Sequence, residues 1–255
     1  MAPAAPSLET IDVVVLCGGR GTRLGALTAT TPKPLLPVAG APFLLHRLLA
    51  FRQEGCSRFI LAVQHLADQF RAFAKRYEQE LPGLTVIEES TPLGTGGALR
   101  HAAQHVGSPV FIAFNGDSWG VQPMTPVLAE HARNDRLLTM VVVRADQVEG
   151  GAQAKGMVNL GAHGEVLGFS TGDAVSGSWV NAGLYLLSRD LVRGWPQGAY
   201  DLEARLMSLI PPGTGYAFCS EASLLDIGIP ACLARANREL ALSVSTSYKR
   251  GPASW

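Results

Sequence analysis

Charge of one sign is missing from this 255-residue sequence. Lysine plus arginine number 21, aspartate plus glutamate also number 21, and the formal net charge is +0. No basic field is therefore offered to nucleic acid or to an anionic lipid surface, and any anion the protein binds must be held locally. Cysteine is scarce and scattered. Cys17, Cys56, Cys219 and Cys232 form no Cys-x-x-Cys pair, which argues against a zinc site or a disulfide framework. They are expected as small buried residues in a reducing compartment. Long hydrophobic runs are missing too, so no membrane span is expected. The Ala/Pro-rich residues 1–10 lack a positively charged, apolar signal region. A soluble cytoplasmic protein is the expectation. The six histidines show no metal-ligand spacing, and no Gly-x-Ser-x-Gly elbow occurs.

What is present is apolar: 47% hydrophobic against 16% charged, which suffices for a substantial core. At this length one domain is expected. The apolar, mostly β-branched stretch 11–16 predicts a strand buried on both faces. A helical pattern covers 43–53, with Pro42 suited to the first turn and Gly55 to the stop. Strand-like runs cover 58–63 and 84–87; between them a helix is expected over 66–80, through Leu66, Phe70, Phe73 and Tyr77. A helix from about 98 to 106 and a strand over 109–114 follow, then a short helix with Thr125 as N-cap and a strand over 137–143. This alternation argues for a doubly wound, mainly parallel α/β sheet. Beyond Arg144, shorter runs over 157–160, 166–169 and 179–187 suggest antiparallel strands added to the sheet or packed as a lid. A helix over 201–210, a strand over 216–219, a turn segment over 224–228, a closing helix over 229–244 and a frayed tail complete the reading.

The first strand gives way to Cys17-Gly18-Gly19-Arg20-Gly21-Thr22-Arg23-Leu24, followed by Thr31-Pro32-Lys33-Pro34-Leu35. Glycine lets the chain turn sharply and lets a ligand approach the backbone. The N–H groups of such a loop make an anion nest, and Arg23 and Lys33 add fixed positive charge. The third glycine of the dinucleotide fingerprint is missing, its place being held by Leu24, and no Gly-x-x-x-x-Gly-Lys-Ser/Thr occurs. The pattern reads as a phosphate site at the end of a central strand; the alternative is a tight turn with two solvated cations. A second glycine-rich loop, Glu88-Glu89-Ser90-Thr91-Pro92-Leu93-Gly94-Thr95-Gly96-Gly97, and the turn Asn115-Gly116-Asp117 fall at the same carboxyl edge, where open α/β sheets bind ligands. Asp117 projects into that crevice. Asp226, in Leu225-Asp226-Ile227-Gly228, is the candidate second ligand for a hard cation such as Mg2+, which takes one or two carboxylates plus substrate phosphates and water. A turn or helix-cap role is the other reading of Asp117.

Together, Leu16 to Leu24, Thr31 to Leu35, Pro92-Leu93-Gly94-Thr95-Gly96-Gly97-Ala98, Phe114 to Asp117, Asn181-Ala182-Gly183-Leu184-Tyr185 and Leu225-Asp226-Ile227-Gly228-Ile229-Pro230 resemble the sugar-1-phosphate nucleotidylyltransferase family, in order and over nearly the whole chain. The Gly-Gly-Ala and Asp-Ile-Gly-Ile-Pro segments resemble the short guanylyltransferases acting on D-glycero-α-D-manno-heptose 1-phosphate. The resemblance implies a Rossmann-like nucleotidyltransferase sheet. It implies a single domain over 1–255, with a nucleotide-binding section over about 11–145 and a sugar-binding section over about 146–240. It implies transfer of GMP from GTP to a sugar 1-phosphate, with pyrophosphate released and nucleotide sugars made for capsule, lipopolysaccharide or surface-layer glycans. Relatives often form dimers or tetramers, so a homo-oligomer is an expectation.

The sugar 1-phosphate is already anionic and needs no general base; its oxygen attacks the α-phosphorus in line, so catalysis is positioning and charge stabilisation. By resemblance, Arg23 holds the β- and γ-phosphates and Lys33 the α-phosphate and the attacking phosphate. Mg2+ on Asp117 and Asp226 bridges the reactants. Leu16, Gly18, Gly19, Gly21 and Thr22 cradle the nucleotide, with Gly94 and Thr95 on the base side. Glu89 falls where the resemblance places a base-reading residue, and a carboxylate accepts both N1–H and N2–H of guanine. Asn115, Gly116, Asn181 and Gly183 fall on the sugar side, although Asn181 also reads as a buried, satisfied strand residue. The Phe-x-Glu-Lys segment of many relatives is here Phe169-Ser170-Thr171-Gly172-Asp173, without either charge; Lys155 is a candidate substitute, and Glu203 resembles a helix-start acid. The alternatives are a mannose-1-phosphate guanylyltransferase, an amino-sugar-1-phosphate uridylyltransferase, and a non-catalytic sugar-nucleotide-binding regulator.

Overall fold

Strand β1 (Asp12–Leu16) is divided by its pleat: Val13 and Val15 enter one core and Val14 another. The same division runs through β2 (Arg58–Val63), with Leu61 and Val63 on one side and Ile60 and Ala62 on the other. With β3 (Leu84–Glu88) and β4 (Val110–Asn115), these strands form the parallel centre of a nine-stranded sheet in the computed structural model, which describes residues 7–120, 122–133, 136–149, 156–170 and 177–248. The other strands are β5 (Leu138–Arg144), β6 (Met157–Leu160), β7 (Val166–Ser170), β8 (Trp179–Ser188) and β9 (Gly215–Ser220). The spatial order is β3-β2-β1-β4-β8-β5-β9, with β6 and β7 added beside the start of β8. Strand β8 runs antiparallel to β4, β5 and β6, whereas β9 returns parallel to β5.

Helices cover both faces, as a doubly wound sheet requires. Apolar residues of α1 (Phe43–Gln53), α2 (Ala67–Arg76) and α4 (Met124–His131) share one core with Val13, Leu61 and Phe114. Residues of α3 (Gly94–Ala103), α5 (Arg189–Arg193) and α6 (Leu202–Leu209) share the other with Val14, Ala62 and Ala113. A third, smaller core docks α7 (Pro230–Tyr248) on Leu225 and Ile227. The charged residue within β1, Asp12, lies at the N-terminal end of the sheet. Its buried carboxylate accepts the N–H groups of Gly107 and Ser108 at 2.7 and 2.8 Å and pairs with Arg58 at 2.7 Å. That network satisfies the carboxylate and closes the end of the sheet remote from the glycine-rich loop.

Several boundaries differ from the sequence reading. The second glycine-rich stretch is helical from Gly94, because α3 packs its small face directly on the segment around Tyr200: Gly96 N–H donates to the Tyr200 carbonyl at 3.1 Å and Tyr200 N–H to that of Leu93 at 2.9 Å. Helix α2 ends at Arg76 rather than at 80, with Tyr77 as its C-cap. Thr125 is not the N-cap of α4; Pro123 holds that position. Pro42 likewise caps α1 from outside its first turn. The segment expected as a turn over 224–228 contains a strand, Leu224–Asp226, paired antiparallel with Ser118–Trp119. Helix α7 continues to Tyr248, past the expected 244. Cys219 is exposed on edge strand β9, unlike the other three cysteines, which are buried. Among the described residues, no helix is long and apolar enough to cross a membrane.

Candidate active site

Parallel register brings two loops together. Leu16 and Asn115 end adjacent strands as register partners, and Gly116 N–H donates to the Leu16 carbonyl at 3.0 Å. The chain leaving β1 therefore runs beside the turn that carries Asp117. It coils through the 3₁₀ segment Thr22–Thr28, entered through Gly21 at φ 64°. A Cβ on Gly21 would lie 3.0 Å from the Thr28 methyl group and 3.3 Å from Lys33 Cβ, so glycine is needed here for both backbone and room. Pro32 and Pro34 bracket Lys33, whose side chain points inward and is only 5% exposed.

The Lys33 ammonium meets two carboxylates, Asp117 Oδ2 at 2.7 Å and Asp226 Oδ1 at 3.0 Å. Asp226 is delivered by the 224–226 strand. Ser118 pairs with Asp226 across that ladder, and Ile227 N–H donates to the Asp117 carbonyl at 3.1 Å. Helix α7 backs the ladder through the apolar contacts of Leu225 and Ile227 with Cys232 and Ala236. A cavity of about 270 Å3 opens above, lined by Leu16, Cys17, Gly19, Gly21, Thr22, Arg23, Lys33, Pro34, Asp117 and Gly228. Burial and the nearby Asp117 carboxylate push the Cys17 thiol well above its ordinary range, so it stays neutral.

Leu16, Gly19, Gly21, Thr22, Arg23, Lys33 and Asp117 thus share one cavity, and Asp226 reaches it through Lys33. Gly18 faces the neighbouring side: a Cβ there would lie 3.3 Å from Glu89 Oε1. Glu89 is buried between the two glycine-rich segments, and its Oε2 accepts the Leu93 N–H at 3.0 Å. Burial raises its pKa, and the Leu93 N–H works against that rise. Gly94 and Thr95 sit at the start of α3. The Thr95 hydroxyl is turned away from the loop after β1: it donates to Asp201 at 3.2 Å and accepts from Leu202 N–H at 2.8 Å, capping α6.

Of the residues expected on the sugar side, Asn115 ends β4, Gly116 follows it, and Asn181 and Gly183 lie on β8. Asn181 is 2% exposed and fully engaged: its Nδ2 donates to the Tyr185 hydroxyl at 2.6 Å and to Glu203, and its Oδ1 accepts from Gly183 N–H at 2.9 Å. The structure therefore makes Asn181 an internal strut of β8. Gly183, at φ 67°, sits where the register of β8 shifts, and its backbone packs on the Asn115 amide. Glu203 lies in the first turn of α6, where the sequence placed a helix-start acid, and Asp201 is the N-cap beside it. Lys155 and the segment 171–173 lie outside the described residues.

One residue of this site was missed as a functional position. A Cβ on Gly228 would lie 2.9 Å from Asp226 Oδ1, 3.0 Å from Lys33 Nζ and 3.1 Å from Arg23 Nη2. Three charged groups use the space a side chain would fill. Gly228 follows Asp226 by two residues, a spacing compatible with an ordinary turn, so only the fold reveals its role.

Carboxylate oxygens from two segments converging on one cation suit a hard divalent ion. Among the described residues no group of three or more His, Cys, Asp or Glu could hold a metal, so two protein ligands would have to be completed by phosphate and water.

Residues 12–210 match a family model described as nucleotidyl transferase. The chain is similar to the mannose-1-phosphate guanylyltransferase of Mycobacterium tuberculosis, 31% identical over 245 residues, spanning 93% of this chain and 66% of that protein. It is also similar to mannose-1-phosphate guanylyltransferase 1 of Arabidopsis thaliana, 29% identical, spanning 86% of this chain and 62% of that one. The chain thus spans less than two thirds of the length of these relatives. Among solved structures, HddC from Yersinia pseudotuberculosis complexed with GMP-PN superposes with a TM-score of 0.79 at 27% identity, covering 90% of this chain and 99% of that one. The inositol-1-phosphate CTP transferase of T. maritima, 18% identical with a TM-score of 0.76, shares the fold.

Proposed function

The chain belongs to the nucleotidyl transferase family, and from that premise we propose that it transfers GMP from GTP to a sugar 1-phosphate, releasing pyrophosphate. The observation that carries this reading is the convergence of Arg23, Lys33 and Asp226 around Gly228, with Asp117 on the same Lys33 ammonium, at the carboxyl edge of the parallel strands. Fixed positive charge beside a glycine-rich backbone suits a triphosphate, and the reaction needs no base because the attacking phosphate oxygen is already ionised.

Arg23 lies at the cavity mouth and holds the β- and γ-phosphates, neutralising charge that grows as pyrophosphate departs. Lys33 orients the α-phosphate and the incoming phosphate with its ammonium. Asp117 and Asp226 would hold Mg2+, which when bound supplies charge neutralisation across the two reactants. The backbone of Gly18, Gly19 and Gly21 cradles the triphosphate. Glu89 accepts N1–H and N2–H of guanine; because it is buried, a base lacking those donors leaves its carboxylate without partners and is disfavoured. Both sections act as one catalytic unit, because β8 from the second is hydrogen-bonded between β4 and β5 of the first.

The preferred acceptor is D-glycero-α-D-manno-heptose 1-phosphate, supported by the likeness to HddC along nearly that protein's whole length. The similarity to mannose-1-phosphate guanylyltransferases favours mannose 1-phosphate as the second reading. Incubation with GTP and each sugar 1-phosphate, followed by mass spectrometry of the nucleotide sugar, tests the choice. Formation of the GDP-heptose in preference to GDP-mannose is expected. The reverse preference selects the second reading, and no nucleotide sugar from either, or from UTP, overturns the proposal.

A further inference from the structure

A second, smaller cavity lies on the α1 and α4 side of the sheet, on the face opposite the Asn181–Glu203 pair. Its volume is about 20 Å3, and its lining includes Arg47, Asn115, Ser118, Gln122, Ser220 and Leu224. Arg47 belongs to α1 and is 6% exposed. Its guanidinium carbon lies 5.2 Å from the ring centre of Phe51, 5.0 Å from Phe114 and 5.6 Å from Trp119. Nη1 donates to the Gly120 carbonyl, whereas Nε–H has no hydrogen-bond partner among the described residues.

A buried charge is costly unless it is paired. Among the described residues no carboxylate forms an ion pair with Arg47. Glu54 acts on it electrostatically, but its Oε2 accepts the Met124 N–H at 2.6 Å. Burial lowers the Arg47 pKa to about 10, which leaves the group charged at neutral pH. Aromatic faces compensate part of that charge and none of the orphaned donor. The cavity exceeds the roughly 10–15 Å3 that admits one water and is too small for a phosphate.

We propose that this cavity is a binding site for one monatomic anion of chloride size, held by the Nε–H of Arg47 beneath the turn that carries Asp117. The bound anion neutralises the guanidinium and stiffens the segment 118–120, which Arg47 grips through Gly120 and Trp119. The folded protein is then more stable in halide than in a salt whose anion is too large to enter.

Two measurements test this together. Crystals soaked in sodium bromide should show an anomalous peak within hydrogen-bonding distance of Arg47 Nε. In solution, Tm at about 0.15 M ionic strength should be about 2–4 °C higher in sodium chloride than in sodium gluconate. That difference should vanish in Arg47→Met, and also in Ala182→Val, which fills the cavity while keeping the charge. A water with no bromide signal overturns the proposal. So does bromide density with equal Tm in the two salts, which means an adventitious ion only, and so does a Tm difference that survives in whichever variant folds.

Discussion

Replacing Lys33 by methionine separates the two functions of its ammonium. In the folded chain that group lies 2.7 Å from Asp117 and 3.0 Å from Asp226 while itself buried. The carboxylate side chains keep 34% and 21% of their exposure, so water screens them in part. Breaking a fully buried pair costs about 3–5 kcal/mol and an exposed one about 0–1 kcal/mol. The intermediate burial places this loss at about 2 kcal/mol, a Tm fall of about 4–8 °C at this chain length. Loss of a positioned positive charge from the transition state lowers kcat by about 10²–10³-fold. The two readouts should then respond differently to Mg2+ or Mn2+. A divalent ion held by Asp117 and Asp226 would take over their neutralisation, so it should raise the Tm of the variant more than that of the wild type, without restoring turnover. Thermal unfolding and pyrophosphate release, each measured across a metal titration, provide the assay. Wild-type kcat in Lys33→Met, or a metal-induced Tm rise no larger than in the wild type, would refute the reasoning.

Glu89→Gln should lower kcat/KM for GTP by about 10-fold or more, since an amide presents a donor where guanine also donates, and narrow the preference for GTP over UTP. Because burial raises the Glu89 pKa, ionising it costs folding stability above the ordinary carboxylate range, so the same variant should keep or raise Tm at neutral pH. Gly228→Ala should cut kcat/KM by about 10-fold while shifting Tm by less than about 3 °C, because the added methyl group meets movable side-chain ends rather than backbone. His131, buried against Thr139 at 2.9 Å, has its pKa lowered to about 4, first by burial and second by Arg136. Its neutral form is the folded form, so its contribution is complete above pH 6.5 and is lost as the pH falls toward 4. Chemical denaturation across that window should show about 3 kcal/mol less acid destabilisation in His131→Gln than in the wild type.

The parallel core was legible because its strands are apolar on both faces, as Val13 to Leu16 and Phe59 to Val63 show, and because the glycine-rich loop follows the first of them. That Arg23, Lys33 and Asp117 would share one cavity was legible from the glycine-rich loop after β1 and the turn after β4, which fall at the same edge of the sheet. Gly94 to Gly97 read as a loop and not as the start of a helix, because glycine also serves close helix packing, and only the fold puts Tyr200 against that face. Leu224–Asp226 read as a turn because its partners, Ser118–Trp119, are distant in sequence and too short to signal a strand. Arg47 carried no local pattern, and Gly228, although inside the Asp226-Ile227-Gly228 motif, gave no sign of what it touches. One reads as a surface helix residue and the other as a turn glycine, until the aromatic cage and the three charged groups are brought around them.

Whether the cavity lined by Arg23, Lys33 and Asp117 is the triphosphate half of a nucleotidyl-transfer site is tested most directly by the initial rate of pyrophosphate release with Mg2+ and a sugar 1-phosphate, for the wild type and Asp117→Asn, across GTP, UTP, CTP and ATP. Release should require the sugar 1-phosphate, be fastest with GTP, and fall by about 10²-fold or more in the variant. Absence of release with every nucleotide, or an undiminished rate in Asp117→Asn, would contradict that assignment.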